Sequence, residues 1–305
     1  MNRGVLMLNQ MKRRKTVFLG MGGFVLILCL FVGVFVFLLF HRAEGHFFDS
    51  NGCKVHYTVD GAGPAVILVH GLGVNGDLNW RRTGITRLLD DEFQVIALDL
   101  RGHGLTDKPT DPDQYGKEMV EDIMRLMDHL EIERAAVAGY SLGGFIVLKL
   151  VTAYPKRITC AALCAAGWKD PEDPSEIPNP YRPPAAQSKM QIPRMVGASQ
   201  GNQKSLFHLV RNGVGDRLVP KAAKKALKSA YADLTVTREE LENNTVPTIC
   251  FMGDKDGLRP LGEDLQRHMA RLEYVTLENK DHFTTCLSSE FRRGLLDFLR
   301  RHGKE

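Results

Sequence analysis

Short apolar runs separated by amphipathic stretches occupy most of this chain. Residues 65–69 (AVILV) form a continuous apolar run, the pattern of a strand buried on both faces. Similar runs at 95–98, 135–138, 158–165, 248–252 and 274–277 predict further strands. Residues 54–59 alternate in polarity and end at the turn-rich 60–64, which reads as a hairpin connection into the strand at Ala65. Between the runs, 115–130 carries Met119, Ile123, Leu126 and Leu130 at helical spacing, and 142–153, 261–272 and 290–301 are also predicted helices. Repeated alternation of strand and helix predicts a mostly parallel, doubly wound sheet. Its ligand sites should gather at the carboxyl ends of the strands.

The alternation stops between Trp168 and Asn244. There, Pro171, Pro174, Pro178, Pro180, Pro183 and Pro184 precede helical patterns at 203–210 and 221–232. This stretch, about 168–244, is expected to be a helical cap inserted into a sheet domain spanning 47–305.

Residues 17–40 contain no charged side chain, and a helix of that length matches a hydrocarbon core of about 30 Å. The expectation is an uncleaved transmembrane signal anchor behind a basic tail, 1–16. A cleavable signal peptide is the competing reading. Arg3 and the cluster Lys12, Arg13, Arg14 and Lys15 precede the span, so the N-terminus is expected in the cytoplasm and the remainder of the chain, with its sheet domain, on the extracytoplasmic side.

With 305 residues, 44% hydrophobic and 25% charged, the chain can bury a large core and is not of disordered composition. The net charge of +4 is modest, and much of it comes from that one cluster, which argues against a nucleic-acid partner. The six cysteines lack the paired spacing of a zinc site or redox motif, so no metal site is expected, and most are expected to be buried thiols.

The chemistry collects where the pattern directs it. Gly139, Tyr140, Ser141, Leu142 and Gly143 form a G-x-S-x-G sequence between a predicted strand and a predicted helix. A serine hydroxyl needs a base, usually a histidine held by a carboxylate. His282 follows the last predicted strand, in a loop from which it can reach the serine. Asp254 and Asp256 both follow the strand at 248–252, and either can orient the imidazole; the bland alternative is that both cap a turn. Backbone N–H groups of Leu72 and Leu142 are the candidate oxyanion donors. His70 and His103 are read as holding loops in shape.

Together HGLG at 70–73, DLRGHG at 99–104, GYSLGG at 139–144, GDKD at 253–256 and DH at 281–282 resemble the α/β-hydrolase superfamily, in particular its esterase and lipase-like members. The resemblance covers about Phe47 to the C-terminus. It implies that Asp256, rather than Asp254, is the acid of a Ser141, His282, Asp256 triad, that Leu72 and Leu142 form the oxyanion hole, and that no metal or organic cofactor takes part. Thr106 departs from the serine that relatives often carry there. The serine at the elbow argues against dehalogenases and epoxide hydrolases, which use aspartate. What is expected is hydrolysis of a carboxylic ester, with a lipid or acylglycerol ester favoured by the anchor, and Trp168, Tyr181, Met190 and Phe207 are candidates for an apolar acyl pocket. Carbon-carbon, lactone or amide hydrolysis on the same triad is the alternative, and so is a catalytically silent, membrane-tethered binding module.

Overall fold

The computed structural model describes residues 45–173 and 219–304. Eight strands form one sheet: β1 (His46–Ser50), β2 (Cys53–Asp60), β3 (Ala65–Val69), β4 (Gln94–Leu98), β5 (Ala135–Tyr140), β6 (Ile158–Cys164), β7 (Thr248–Gly253) and β8 (Leu272–Leu277). Their order is β1-β2-β4-β3-β5-β6-β7-β8. β1, β2 and β4 are joined antiparallel, and every other pairing is parallel.

The helices are α1 (Ile85–Leu89), α2 (Lys117–His129), α3 (Leu142–Ala153), α4 (Lys221–Ser229), α5 (Arg238–Glu242), α6 (Arg259–His268) and α7 (Ser289–His302). In β3 the pleat sends Ile67 and Val69 into one buried cluster and Val66 and Leu68 into the other, so the strand is apolar throughout because both its faces are covered. Each such side chain contributes about 1.5–3 kcal/mol on burial. α3 follows the same logic, with Leu142, Ile146, Val147, Leu148, Leu150 and Val151 all buried. α7 starts at Ser288, whose hydroxyl accepts from Phe291 N at 3.2 Å, and ends in Arg300, Arg301 and His302, cations suited to a helix C-terminus.

The loop after β4 is fixed by buried charge. Arg101 donates to Asp122 of α2 from Nε at 2.7 Å and from Nη2 at 2.5 Å, and both side chains are fully enclosed. Ser50 Oγ donates to the same carboxylate at 2.5 Å. Asp99 accepts from Gly76 N at 2.9 Å and Leu105 N at 2.8 Å and pairs with His56 Nδ1 at 3.0 Å. Burial works to raise the Asp99 pKa, but these bonds and the nearby His70 outweigh it and hold the carboxyl below its usual range.

Three expectations change. The turn at 60–64 is not a hairpin: β2 pairs with β4, and β3 lies on the far side of β4. Turn residues specify a reversal of the chain without specifying the strand's neighbour. β1, unpredicted, does make a hairpin with β2, through Asn51 (φ +55°) and Gly52 (φ +78°), the Asn-Gly pair that favours positive φ at both positions.

The membrane anchor gains no support, and the extracytoplasmic placement derived from it is overturned: among the described residues no helix is long and apolar enough to cross a membrane. The segment 17–40 itself lies outside the described residues. Of the stretch expected as a cap, 174–218 also lies outside them, together with Tyr181, Met190, Phe207 and the helix expected at 203–210.

Candidate active site

β5 delivers the chain to Ser141, and α3 begins at the next residue. Ser141 sits at φ +52°, ψ −115°, a conformation costing about 1–3 kcal/mol for a residue with a side chain. The surroundings enforce it. Ser141 N donates to Cys164 O at the end of β6 at 2.8 Å, while Ser141 O accepts from Gly144 N at 2.9 Å. A Cβ on Gly139 would collide with the backbone of Gly143, and one on Gly143 would collide with Val69 O and His70 O. The two glycines flanking the serine are therefore needed for the close approach of β5, α3 and the end of β3.

The last two parallel strands supply the partners. Asp256 stands in the turn after β7 and His282 in the loop after β8. His282 Nε2 lies 2.9 Å from Ser141 Oγ, and His282 Nδ1 lies 2.9 Å from Asp256 Oδ2. Asp256 is fully buried and His282 is 5% exposed. The other oxygen of Asp256 accepts from Leu258 N at 2.9 Å. A carboxylate can only accept, so it fixes the proton on Nδ1 and leaves the Nε2 lone pair facing the serine hydroxyl, as a base requires. Asp254 has a different partner: it accepts from Lys280 N at 3.2 Å and links the two turns.

The loop after β3 packs against the elbow. A Cβ on Gly71 would lie 3.2 Å from Ser141 Cβ and 3.2 Å from Tyr140 O. Gly71 N donates to the buried Asn79 Oδ1 at 3.0 Å. His70 Nε2 accepts from Leu100 N at 2.9 Å, which places its proton on Nδ1, 2.7 Å from Gly71 O. Burial lowers the His70 pKa, in keeping with a neutral ring. His103 packs edge-on against it at 5.1 Å between centroids, and its Nδ1 lies 3.1 Å from Arg101 O. Both histidines thus shape loops. Leu72 closes this loop and Leu142 opens α3, and among the described residues neither backbone N–H has a hydrogen-bond acceptor.

Two residues that the sequence reading passed over act on this geometry. Asn79 holds the loop at Gly71, and Tyr140 donates from its hydroxyl to His282 O at 2.8 Å. Trp168, a candidate for the acyl pocket, is structural: it is buried, its Nε1 donates to Val236 O at 2.8 Å, and its ring meets His268 edge-on at 5.1 Å. The five cysteines among the described residues are thiols, and four of them are buried. No cluster of potential metal ligands occurs among the described residues.

The comparisons with known proteins agree with this architecture. A family described as "alpha/beta hydrolase fold" matches residues 64–208, which include the elbow. An uncharacterized protein of Mycobacterium tuberculosis is 36% identical over 118 residues, covering 38% of this chain and 33% of the relative. The chain spans about a third or less of the length of the first curated relatives that it matches. Among solved structures, a meta-cleavage product hydrolase from Pseudomonas fluorescens superposes with a TM-score of 0.66 at 21% identity, covering 84% of this chain and 98% of its own. An enol-lactonase from Burkholderia xenovorans superposes with a TM-score of 0.62 at 23% identity, covering 84% of this chain and 100% of its own. This chain has the α/β-hydrolase fold.

Proposed function

We propose that this protein is a serine hydrolase cleaving a carboxylic ester through an acyl-enzyme on Ser141. The observation that carries the reading is the continuous relay from Ser141 Oγ through His282 to Asp256, with both contacts at 2.9 Å. Ser141 Oγ attacks the ester carbonyl as His282 Nε2 takes its proton. Asp256 holds the imidazole in the required tautomer and stabilises the imidazolium that forms. The N–H groups of Leu72 and Leu142 are assigned to the negative oxygen of the tetrahedral intermediate, where each donor of this kind is worth about 10²–10³ in kcat. The intermediate collapses, His282 returns the proton to the leaving alcohol, and water releases the acid by the same steps in reverse order of groups.

The test is hydrolysis of p-nitrophenyl esters of graded chain length by the full chain and by Ser141→Ala, with fluorophosphonate labelling alongside. Turnover and labelling that both vanish in Ser141→Ala support the reading, and the preferred chain length then says whether the acid is a short acyl group or a lipid chain. Labelling of Ser141 without turnover of any ester moves the substrate to a lactone, an amide or a carbon-carbon bond. A parent protein that neither labels nor turns over overturns the enzyme reading in favour of a silent binding module.

A further inference from the structure

Tyr140 immediately precedes Ser141 in the chain, yet its side chain acts on a residue in the loop after β8. The ring lies among the buried residues on one face of the sheet, with Trp80 edge-on at 6.2 Å between centroids. It also lies 6.0 Å, centroid to centroid, from the imidazole of His282. At the far end, the hydroxyl donates to the main-chain carbonyl of His282 at 2.8 Å in a buried hydrogen bond. The donor is permanent, because burial and then the neighbouring Cys286, Cys164 and Asp256 keep the phenol from ionising.

This contact closes a ring of connections. Ser141 reaches the His282 side chain through Oγ and, through its covalent neighbour Tyr140, also reaches the His282 backbone. Asp256 and Ser141 hold the two ring nitrogens, while Lys280, two residues upstream, is tied to the turn after β7 through Lys255 N and the Asp254 carboxylate. The Tyr140 bond to the carbonyl of His282 itself ties the loop, in addition, to the strand that carries the nucleophile. Displacements of about 1 Å in such an arrangement can cost about 10²-fold in rate.

Resting on the ester-hydrolase reading above, we infer that Tyr140 is a positioning residue: its hydroxyl registers the His282 loop on the nucleophile elbow and so sets the distance between His282 Nε2 and Ser141 Oγ. Tyr140 touches no reacting atom and acts only through His282. Removing its hydroxyl should therefore slow the chemical step and leave binding of the ester unchanged.

The experiment compares the full-length parent, Tyr140→Phe and a protein carrying 3-fluorotyrosine at 140, using p-nitrophenyl acetate. Competent sites are counted by exhaustive fluorophosphonate labelling, so that kcat is expressed per competent site and any unfolded fraction drops out. The expected result for Tyr140→Phe is a fall in kcat of about 10- to 100-fold, KM within twofold of the parent, and labelling that is slower but reaches completion. 3-Fluorotyrosine, which keeps ring and donor, should restore most of the loss. A kcat per site within twofold of the parent in Tyr140→Phe overturns the assignment, as does a loss that 3-fluorotyrosine fails to restore. A Tyr140→Phe protein with no competent sites assigns the residue to the fold instead and overturns it too. The failure of the underlying reading looks different, because it shows in the parent, which then neither turns over nor labels.

Discussion

Asp256→Asn separates the charge of the acid from its shape. In the parent, Oδ1 accepts from Leu258 N and Oδ2 faces His282 Nδ1, so the carboxylate accepts on both sides. Asparagine has one acceptor and one donor end. If its oxygen stays on Leu258 N, the amide NH2 faces Nδ1, which must then accept, and the imidazole proton moves to Nε2, where it points at Ser141 Oγ. The serine then loses its base. The flipped amide keeps the tautomer but sets NH2 against the Leu258 N–H, two buried donors together, at a cost of about 1–3 kcal/mol.

The first arrangement therefore dominates, and kcat should fall by about 10⁴, equivalent to about 5 kcal/mol of transition-state stabilisation. The fold retains its Leu258 bond and should lose no more than about 1–2 kcal/mol. The assay is turnover of p-nitrophenyl acetate, with urea unfolding to check the fold. Asp254→Asn serves as the control, expected to remain within a few-fold of the parent because Asp254 holds Lys280 N. An Asp256→Asn protein that folds normally and turns over within tenfold of the parent would refute the tautomer argument.

Asp122→Ala leaves Arg101 buried without its bidentate partner, and urea unfolding should show a loss of about 3–5 kcal/mol; a loss under about 1 kcal/mol would contradict the geometry. Burial, reinforced by His70, pushes the His103 pKa down to about 3, whereas in the unfolded chain a histidine titrates near 6.5. The unfolded state therefore takes up this proton first. The stability His103 contributes is complete above about pH 6.5 and is lost as pH falls toward about 3, at roughly 1.4 kcal/mol per unit for one proton. His70, also lowered, adds in the same direction. The urea midpoint should therefore fall steadily below pH 6.5, and His103→Gln should make that slope shallower; a parent midpoint flat from pH 7 to pH 5 would exclude the effect.

Most of the sheet could be read from the chain because its strands are buried on both faces and so write continuous apolar runs. The antiparallel margin was harder. β1 is largely exposed, with a weak apolar signal, and only Asn51-Gly52 marked its hairpin. α1, five residues long, falls below the length at which periodicity is visible. At the site, Ser141, Asp256 and His282 were legible because each lies just past a strand, and the structure brings the three together. The choice between Asp254 and Asp256 came from family resemblance and not from pattern, since both stand in the same turn. Tyr140 was invisible in its role: it fills a variable position of the elbow, and its partner is 142 residues away. The apolar run at 17–40, clear as it is in the sequence, falls outside the described residues, so it gains no structural counterpart.

The seam between β6 and β7 divides the chemistry in an unequal way. These neighbouring parallel strands are bonded side by side, Ala161 opposite Thr248 and Cys164 opposite Phe251, although the longest connection in the sheet separates them in sequence. Everything before the seam carries the nucleophile and both assigned oxyanion donors; everything after it carries the base and its acid. A chain cut in that connection would yield two complementary fragments, each chemically mute, whose recovered turnover would report their reassociation across the β6–β7 pairing and the side-chain contacts that accompany it. On the proposed function, the fold thus contains the plan of a split enzyme.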